Sequence, residues 1–124
     1  MAVDELIDAY CASWNQGDPA ARTAQLAAVL TETARYTDPR TDAVGAAALS
    51  AHIGSVQAAR PGARILRTTA IDTHHGFARF GFQAVGADGS ELLHGVDVVE
   101  LTDDGRIARI TGFFGALPEL DTGA

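Results

Sequence analysis

The second half of the chain contains the stretch Leu92-Leu93-His94-Gly95-Val96-Asp97-Val98-Val99-Glu100-Leu101. Its β-branched residues, and the turn residues on either side, predict a β-strand. Side chains alternate between the two faces of a strand, so Asp97 shares a face with Leu93, Val99 and Leu101. A carboxylate among apolar neighbours loses hydration and must find hydrogen-bond partners or take up a proton. A perturbed carboxyl group of this kind is typical of a functional site.

Turn residues divide the rest of this half into further strands. His74-His75-Gly76, Ala87-Asp88-Gly89-Ser90 and Asp103-Asp104-Gly105 each predict a tight connection between two strands. The four predicted strands span about 64–72, 77–85, 91–101 and 106–114. Consecutive strands joined by short turns form an antiparallel, curled sheet.

The first half of the chain predicts helices. Apolar residues recur at three- and four-residue steps near the N-terminus, and Asn15-Gln16-Gly17 ends this first helix. Asp18-Pro19 predicts the N-cap and first turn of a second helix. The inward residues of that second helix are predicted to be Leu26, Val29 and Leu30. A short extended piece follows over about 34–38, and a third helix runs from about 46 to 59. Helices grouped before such a sheet indicate an α+β architecture.

Length, composition and charge limit the class of protein. The 124 residues suit one domain, 1–124, and 47% hydrophobic residues are enough for a core. The net charge of −7 makes nucleic acid and anionic membrane surfaces poor partners. Cys11 is the single cysteine, which fits a reducing compartment. No stretch is long and apolar enough for a membrane span, and the N-terminus lacks a secretory pattern, so we expect a cytoplasmic protein.

The strand that contains Asp97 is apolar on both faces. Val96 and Val98 lie opposite Val99 and Leu101, whereas a sheet with one face in water shows a cleaner alternation. We therefore expect the outer face to pack on another molecule, and a second copy of the chain is the simplest partner. A foreign protein partner on the same face is the alternative.

Most catalytic signatures are absent from the sequence. It contains no Gly-x-Ser-x-Gly elbow, phosphate loop or dinucleotide-binding glycine fingerprint. His74 and His75 are adjacent and would point in opposite directions from an extended chain. His52 and His94 have no paired-ligand spacing nearby. We therefore expect no metal site and no organic cofactor.

Acidic and phenolic residues remain, and they can converge if the first helix and the short extended piece cover the open side of the sheet. Tyr10 lies on the apolar face of the first helix, and Asp97 faces inward from the sheet. Tyr36 and Asp38 share one face of the short extended piece. A few polar groups within apolar walls suit a small, uncharged, ring-like ligand. The remaining walls of such a cavity are predicted from the position of a residue on the first helix and from the alternation of side chains along the strands. They are Trp14, Phe80, Phe82, Val99, Leu101 and Phe114.

Each polar residue of this set also has a structural interpretation. Tyr10 can be a core residue whose hydroxyl bonds to a backbone carbonyl. Asp38 can be a turn residue that pairs with Arg40. Asp97 can accept hydrogen bonds from backbone amides or from a buried tyrosine. The functional interpretation gains from the combination, because three independent coincidences would otherwise be needed.

Short motifs along most of the chain point to a known fold. They are Tyr10-x-x-x-x-Asn15-x-Gly17-Asp18, Tyr36-Thr37-Asp38-Pro39, Ile71-Asp72, Gly95-Val96-Asp97, and Asp104-Gly105-Arg106 through Phe114-Gly115. Together they resemble the nuclear transport factor 2-like superfamily, which contains the SnoaL-like polyketide cyclases and the ketosteroid isomerases. The resemblance covers about residues 3–118. It implies a cone-shaped, cystatin-like roll, with three N-terminal helices packed in the concave face of a curved, mainly antiparallel β-sheet.

Within this superfamily, the ketosteroid isomerases give the closest functional match. The resemblance implies that Asp38, which precedes a proline, moves a proton at a carbon next to a ketone. It also implies that Tyr10 and a protonated Asp97 donate hydrogen bonds to the developing enolate oxygen. The loop after Asp38 is shorter and more charged than in the isomerases, and Phe80 and Phe82 narrow the pocket. Both departures argue against a steroid substrate.

Two functions follow from these expectations. The first is a cofactor-independent proton-transfer enzyme of the isomerase, cyclase or dehydratase type, with Asp38 as base and Tyr10 and Asp97 as oxyanion donors. Its substrate would be a small apolar ring ketone. The alternative is a non-catalytic protein of the same fold that binds a hydrophobic small molecule, since fold does not determine function.

Overall fold

The computed structural model describes residues 1–123. Within them, the helices are α1 (Val3–Ser13), α2 (Pro19–Val29) and α3 (Ala46–Ala59). The strands are β1 (Leu30–Asp38), β2 (Thr41–Val44), β3 (Arg64–Arg67), β4 (Asp72–His74), β5 (Phe77–Val85), β6 (Glu91–Leu101) and β7 (Ile107–Phe114). This order confirms the predicted α+β class.

Capping chemistry explains where the second helix begins. The Asp18 carboxylate accepts a hydrogen bond of 2.9 Å from the Ala21 N–H, and Pro19 occupies the first turn. The third helix has the predicted bounds, 46–59. The assignment of Leu30 to the second helix was wrong. Its backbone is extended, with φ −93° and ψ 149°, because Leu30 pairs with Ile107 and begins β1.

The strands form one curved, open, seven-stranded sheet in the order β2-β1-β7-β6-β5-β3, with β4 also paired to β5. The pairing is antiparallel except between β1 and β7, which run parallel. The sheet is therefore mainly antiparallel, as predicted. Its parallel pair places the end of β1 beside the middle of β7, with Thr37 opposite Thr111.

Two details of the sheet differ from the prediction. The extended piece over 34–38 is part of the longer β1, and it turns into β2, a strand that sequence reasoning missed. The single strand predicted over 64–72 is divided into β3 and β4. It is interrupted because the Thr69 hydroxyl accepts the Gly81 N–H at 2.8 Å, in place of a backbone carbonyl.

The core lies between the helices and one face of the sheet. Leu6, Ile7, Leu26, Leu49 and Ile53 from the helices meet Ala78, Phe80, Val99, Ile107 and Ile110 from the strands. No helix within residues 1–123 has both the length and the apolar character to cross a membrane. The helices fill the space in front of the end of the sheet that contains Val99 and Ile107.

Candidate active site

A cavity of about 210 Å³ lies between the sheet and the helices α1 and α3. Its aromatic walls were all predicted from the sequence: Tyr10, Trp14, Tyr36, Phe80, Phe82 and Phe114. Both predicted acids, Asp38 and Asp97, also line it. The structure therefore brings these eight residues around one space.

Two predicted wall residues lie elsewhere. Val99 is fully buried in the core, and Leu101 packs against that core without lining the cavity. Strand parity placed both side chains on the correct face of β6. The prediction failed because the helices pack against that end of the sheet and fill the space in front of it.

Asp97 is the buried acid of the cavity, with 7% of its surface exposed. It stands in the middle of β6, opposite Phe80 on β5 and Gly112 on β7. Burial raises the pKa of Asp97 to about 7, and the negative charge of Asp38 adds to the shift. Among residues 1–123, its carboxyl group has no hydrogen-bond partner. The alternatives of backbone amides or a tyrosine as partners of Asp97 are therefore not observed.

Gly112 creates the space in which the two acids come together. A Cβ atom at this position would lie 2.9 Å from Asp97 Oδ1 and 3.4 Å from Asp38 Cβ. Any larger residue would therefore press on both carboxyl-bearing side chains. Sequence reasoning missed this role, because it depends on β7 lying between β1 and β6 in the sheet.

Asp38 is held at the end of β1 by two hydrogen bonds. The Tyr36 hydroxyl donates to Oδ2 at 2.6 Å, and the Arg40 backbone N–H donates to Oδ1 at 2.7 Å. Burial raises the pKa of Tyr36 well above its usual range, and its hydrogen bond to Asp38 raises it further. Tyr36 therefore keeps its proton and orients the carboxylate. Arg40 contributes its backbone here, and no ion pair between the two side chains is present within residues 1–123.

Tyr10 presents its hydroxyl group to the same cavity. The Trp14 indole N–H donates to the Tyr10 oxygen at 2.9 Å. Burial raises the pKa of Tyr10 well above its usual value, and the charge of Asp97 acts in the same direction. The phenol therefore stays protonated. Because its proton has no acceptor among residues 1–123, it is available to a ligand.

Sequence reasoning missed the wall that α3 supplies. His52, Val56 and Arg60 line the cavity at four-residue spacing, which is the signal that could have found this helix face. The His52 ring lies 6.0 Å from the Trp14 ring and 6.2 Å from the Tyr36 ring, measured between centroids.

The adjacent histidines behave differently from the prediction. His75 adopts a left-handed backbone with φ 47°, which brings its Nδ1 to 3.1 Å from Nδ1 of His74. His74 is the last residue of β4 and His75 lies in the turn that follows, and both are exposed and outside the cavity. Within residues 1–123, no group of three or more His, Cys, Asp or Glu side chains is arranged to hold a metal ion.

The cavity thus combines a carboxylate with two neutral hydrogen-bond donors in apolar walls. This chain resembles known families in both sequence and structure. The family model for the SnoaL-like domain matches residues 7–110. The chain belongs to this SnoaL-like family. No curated protein matches it at a significant level.

Solved structures agree with this assignment. A SnoaL-like family protein from Agrobacterium tumefaciens strain C58, provisionally named an isomerase, is 30% identical, with a TM-score of 0.85 over 90% of this chain and 96% of that one. A cystatin-like protein of unknown function from Methylobium petroleophilum PM1 is 19% identical, with a TM-score of 0.75 over 97% and 79%. A provisionally named polyketide cyclase from Sinorhizobium meliloti is 16% identical, with a TM-score of 0.68 over 87% and 93%. The last two likenesses show the fold alone.

Proposed function

We propose that this protein is a cofactor-independent enzyme that transfers a proton on a small apolar ring ketone, by isomerisation, cyclisation or dehydration. One observation carries the proposal. Asp38, Asp97 and Tyr10 line a single apolar cavity, although they come from three different elements of the fold. The assignment of the family supports an activity of this kind, because related proteins are provisionally named as an isomerase and a polyketide cyclase.

The proposed mechanism uses the protonation state of each group. Ionised Asp38 removes a proton from the carbon beside the ketone, and the C–H electron pair moves into the enolate. Tyr10 and protonated Asp97 donate hydrogen bonds to the oxygen on which the charge develops. In an isomerisation, Asp38 then returns its proton to a different carbon. In a dehydration, the enolate breaks the C–O bond of a hydroxyl group on the next carbon, which takes the proton from Asp38 and leaves as water. In a cyclisation, the enolate carbon forms a bond to a second carbonyl carbon of the same molecule, and the oxygen of that carbonyl takes the proton. Apolar walls strengthen these interactions by excluding water.

The volume of the cavity limits the substrate. Drug-sized ligands occupy pockets of about 300–1,000 Å³, whereas this cavity measures about 210 Å³. A steroid is therefore too large, and one ring or two fused rings fit. Phe80 and Phe82 reduce the volume from the sheet side, and Gly95 allows this, since a Cβ there would lie 2.8 Å from the Phe82 ring.

A non-catalytic binding protein is the second candidate, and one observation favours it. Both carboxylate oxygens of Asp38 already accept short hydrogen bonds, from the Tyr36 hydroxyl and the Arg40 N–H, so a structural role accounts for this side chain without catalysis. Under this alternative the same cavity holds the same class of ligand, and Asp38 only anchors the turn between β1 and β2.

Hydrogen–deuterium exchange on the ligand separates the two candidates. A panel of mono- and bicyclic ketones is first screened by thermal shift, because a ligand that binds the folded state raises the melting temperature. Each hit is then incubated with the protein in D₂O, and loss of the α-proton signal is followed by NMR. We expect exchange much faster than in buffer alone. Ligands that bind without accelerated exchange would establish the binding protein and exclude the enzyme.

We also propose a cytoplasmic homodimer formed through the outer sheet face. A free Cys11 suits a reducing compartment. Val96 and Phe113 are cross-strand partners on the outer face, and they are 40% and 60% exposed. Exposed apolar residues in contact with one another are typical of an interface.

Negative charges introduced on the outer sheet face should dissociate the proposed dimer. Sedimentation velocity at micromolar concentration is expected to show a dimer for the wild type and a monomer for Val96→Glu/Phe113→Glu. The matched control is Leu117→Glu, which adds a charge at a residue 95% exposed in the tail beyond the sheet. A wild-type monomer, or a dimer that survives the double substitution, would contradict this interface.

A further inference from the structure

The basic residues of this acidic chain are all arginines, and most have a partner. Four form ion pairs with carboxylates: Arg35 with Asp42, Arg67 with Asp8, Arg79 with Asp72 and Arg109 with Glu100. Two others donate to uncharged groups, namely Arg22 to Ser50 and Gln57, and Arg106 to backbone carbonyls. Among residues 1–123, the guanidinium groups of Arg40, Arg60 and Arg64 form neither a hydrogen bond nor an ion pair.

Two of these three unpartnered arginines line the cavity. Arg40 stands in the turn after β1, and its guanidinium carbon lies 5.4 Å from the centre of the Phe114 ring. Arg60 directly follows α3 and extends the lining row of His52 and Val56. Both arginines are exposed to solvent. We call the solvent-exposed part of the lining, which includes both arginines, the mouth of the cavity. Tyr10 and Asp97 are buried and form its inner part.

The inner part of the cavity carries acidic groups, and its mouth carries basic ones. Its inner part holds the carboxyl groups of Asp38 and Asp97, where a second anion would meet like charge in a poorly hydrated space. Its mouth holds two positive charges whose hydrogen-bond donors are unused. The net charge of −7 repels anions at a distance, so two unpaired cations in the lining of one cavity are a local exception. A guanidinium group matches the planar geometry of a carboxylate.

We infer that the natural ligand carries a carboxylate in addition to its ring ketone, and that Arg40 and Arg60 bind this carboxylate at the mouth of the cavity. The ketone then points inward to Tyr10 and Asp97. Phe114 supports this arrangement, because the face of its ring holds the Arg40 guanidinium at the opening. The inference rests on the proposed function for the position of the ketone. The two arginines determine which ring ketones are accepted.

Two matched probes test the inference: 4-oxocyclohexanecarboxylate and its methyl ester. Binding is measured by calorimetry at low and high salt. We expect the wild type to bind the acid about tenfold more tightly than the ester, as one charge-assisted contact of about 1.5 kcal/mol would give. Arg40→Gln and Arg60→Gln should each weaken binding of the acid about three- to tenfold and leave the ester within about twofold. Added salt should weaken binding of the acid only.

Arg64→Gln is the control for net charge. Arg64 is exposed and unpartnered like the other two, but its side chain does not line the cavity, so neither probe should bind differently. Failure of the acid to bind, equal affinity for acid and ester, or an equal loss in Arg64→Gln would overturn the inference.

Proton exchange on the same probes distinguishes this inference from the proposed function. If the acid binds through the arginines but its α-protons do not exchange, the enzyme proposal fails and the specificity stands. If both probes exchange equally well in the wild type and in both arginine variants, the inference fails and the enzyme stands. For an enzyme, the arginine variants should raise KM for the acid and leave kcat nearly unchanged, since their side chains contact the carboxylate of the ligand and not its ketone.

Discussion

Asp38→Asn is expected to reduce α-proton exchange on a bound ketone by roughly 10²–10⁴-fold, the usual contribution of a general base. Asparagine has nearly the same shape, and its amide oxygen still accepts one of the hydrogen bonds that now come from Tyr36 and the Arg40 N–H. It cannot accept a proton from carbon. The exchange rate in D₂O measures the loss, and the ligand dissociation constant and melting temperature should stay close to those of the wild type.

Asp42→Asn is the matched control for this substitution. Asp42 lies on the adjacent strand β2, carries the same charge, and pairs with Arg35 outside the cavity. Its removal should leave the exchange rate unchanged, so an effect of lost charge alone is separated from an effect at the site. An Asp38→Asn variant that exchanges ketone protons as fast as the wild type would remove Asp38 from the mechanism and favour the binding protein.

Local chemistry made much of the fold predictable. Asp18-Pro19 marks the start of α2, because an aspartate cap and a proline in the first turn both favour the beginning of a helix. Pro61-Gly62 follows the end of α3, because proline and glycine interrupt helical hydrogen bonding. The bounds of β5 and β6 followed from the turns on either side. The predictions that failed concern element bounds that depend on residues distant in the sequence. Leu30 begins a strand because β7 is available to pair with it, and the strand over 64–72 is divided by the Thr69 hydroxyl bond to Gly81.

The candidate site was predictable to the extent that it follows strand and helix periodicity. Parity placed Phe80, Phe82, Asp97 and Phe114 on the inner face, and all of them line the cavity. The alternation of side chains along β6 also placed Val99 on the inner face. This alternation could not show that the helices fill the space in front of Val99. Gly112 and the lining face of α3 were missed. Their roles depend on strand order and on how α3 crosses the sheet, and neither is encoded in a short pattern.

The largest stability effect is expected at Asp97, and it depends on pH. The pKa of Asp97 is about 7 in the folded protein, against 3.8 for an exposed aspartate. Between these two values the folded state keeps a proton that the unfolded state has lost. Folding stability from this group is therefore fully present below about pH 4 and is lost as the pH rises through about 7. A shift of this size corresponds to about 4 kcal/mol.

Asp97→Asn should remove this pH dependence, because an amide does not titrate and leaves no buried charge at high pH. Urea denaturation at pH 4 and at pH 8 measures the difference in unfolding free energy between variant and wild type. We expect this difference to move in favour of the variant by about 4 kcal/mol between the two conditions. Asp88→Asn is the control. Asp88 is exposed and its pKa is lowered by Ser90, so its contribution changes below the window in which Asp97 titrates.

The same proton should control activity. Asp97 donates to the enolate oxygen only when it is protonated, so kcat/KM should fall about tenfold per pH unit above about 7. In Asp97→Asn this alkaline decline should disappear, because the amide donates at every pH, although more weakly. Removal of one oxyanion donor costs roughly 10²–10³-fold, and a retained weak donor makes the loss below pH 7 smaller than that. Parallel pH profiles for the two proteins would show that Asp97 neither carries the raised pKa nor takes part in catalysis, and the cavity would then have to be interpreted as a binding site.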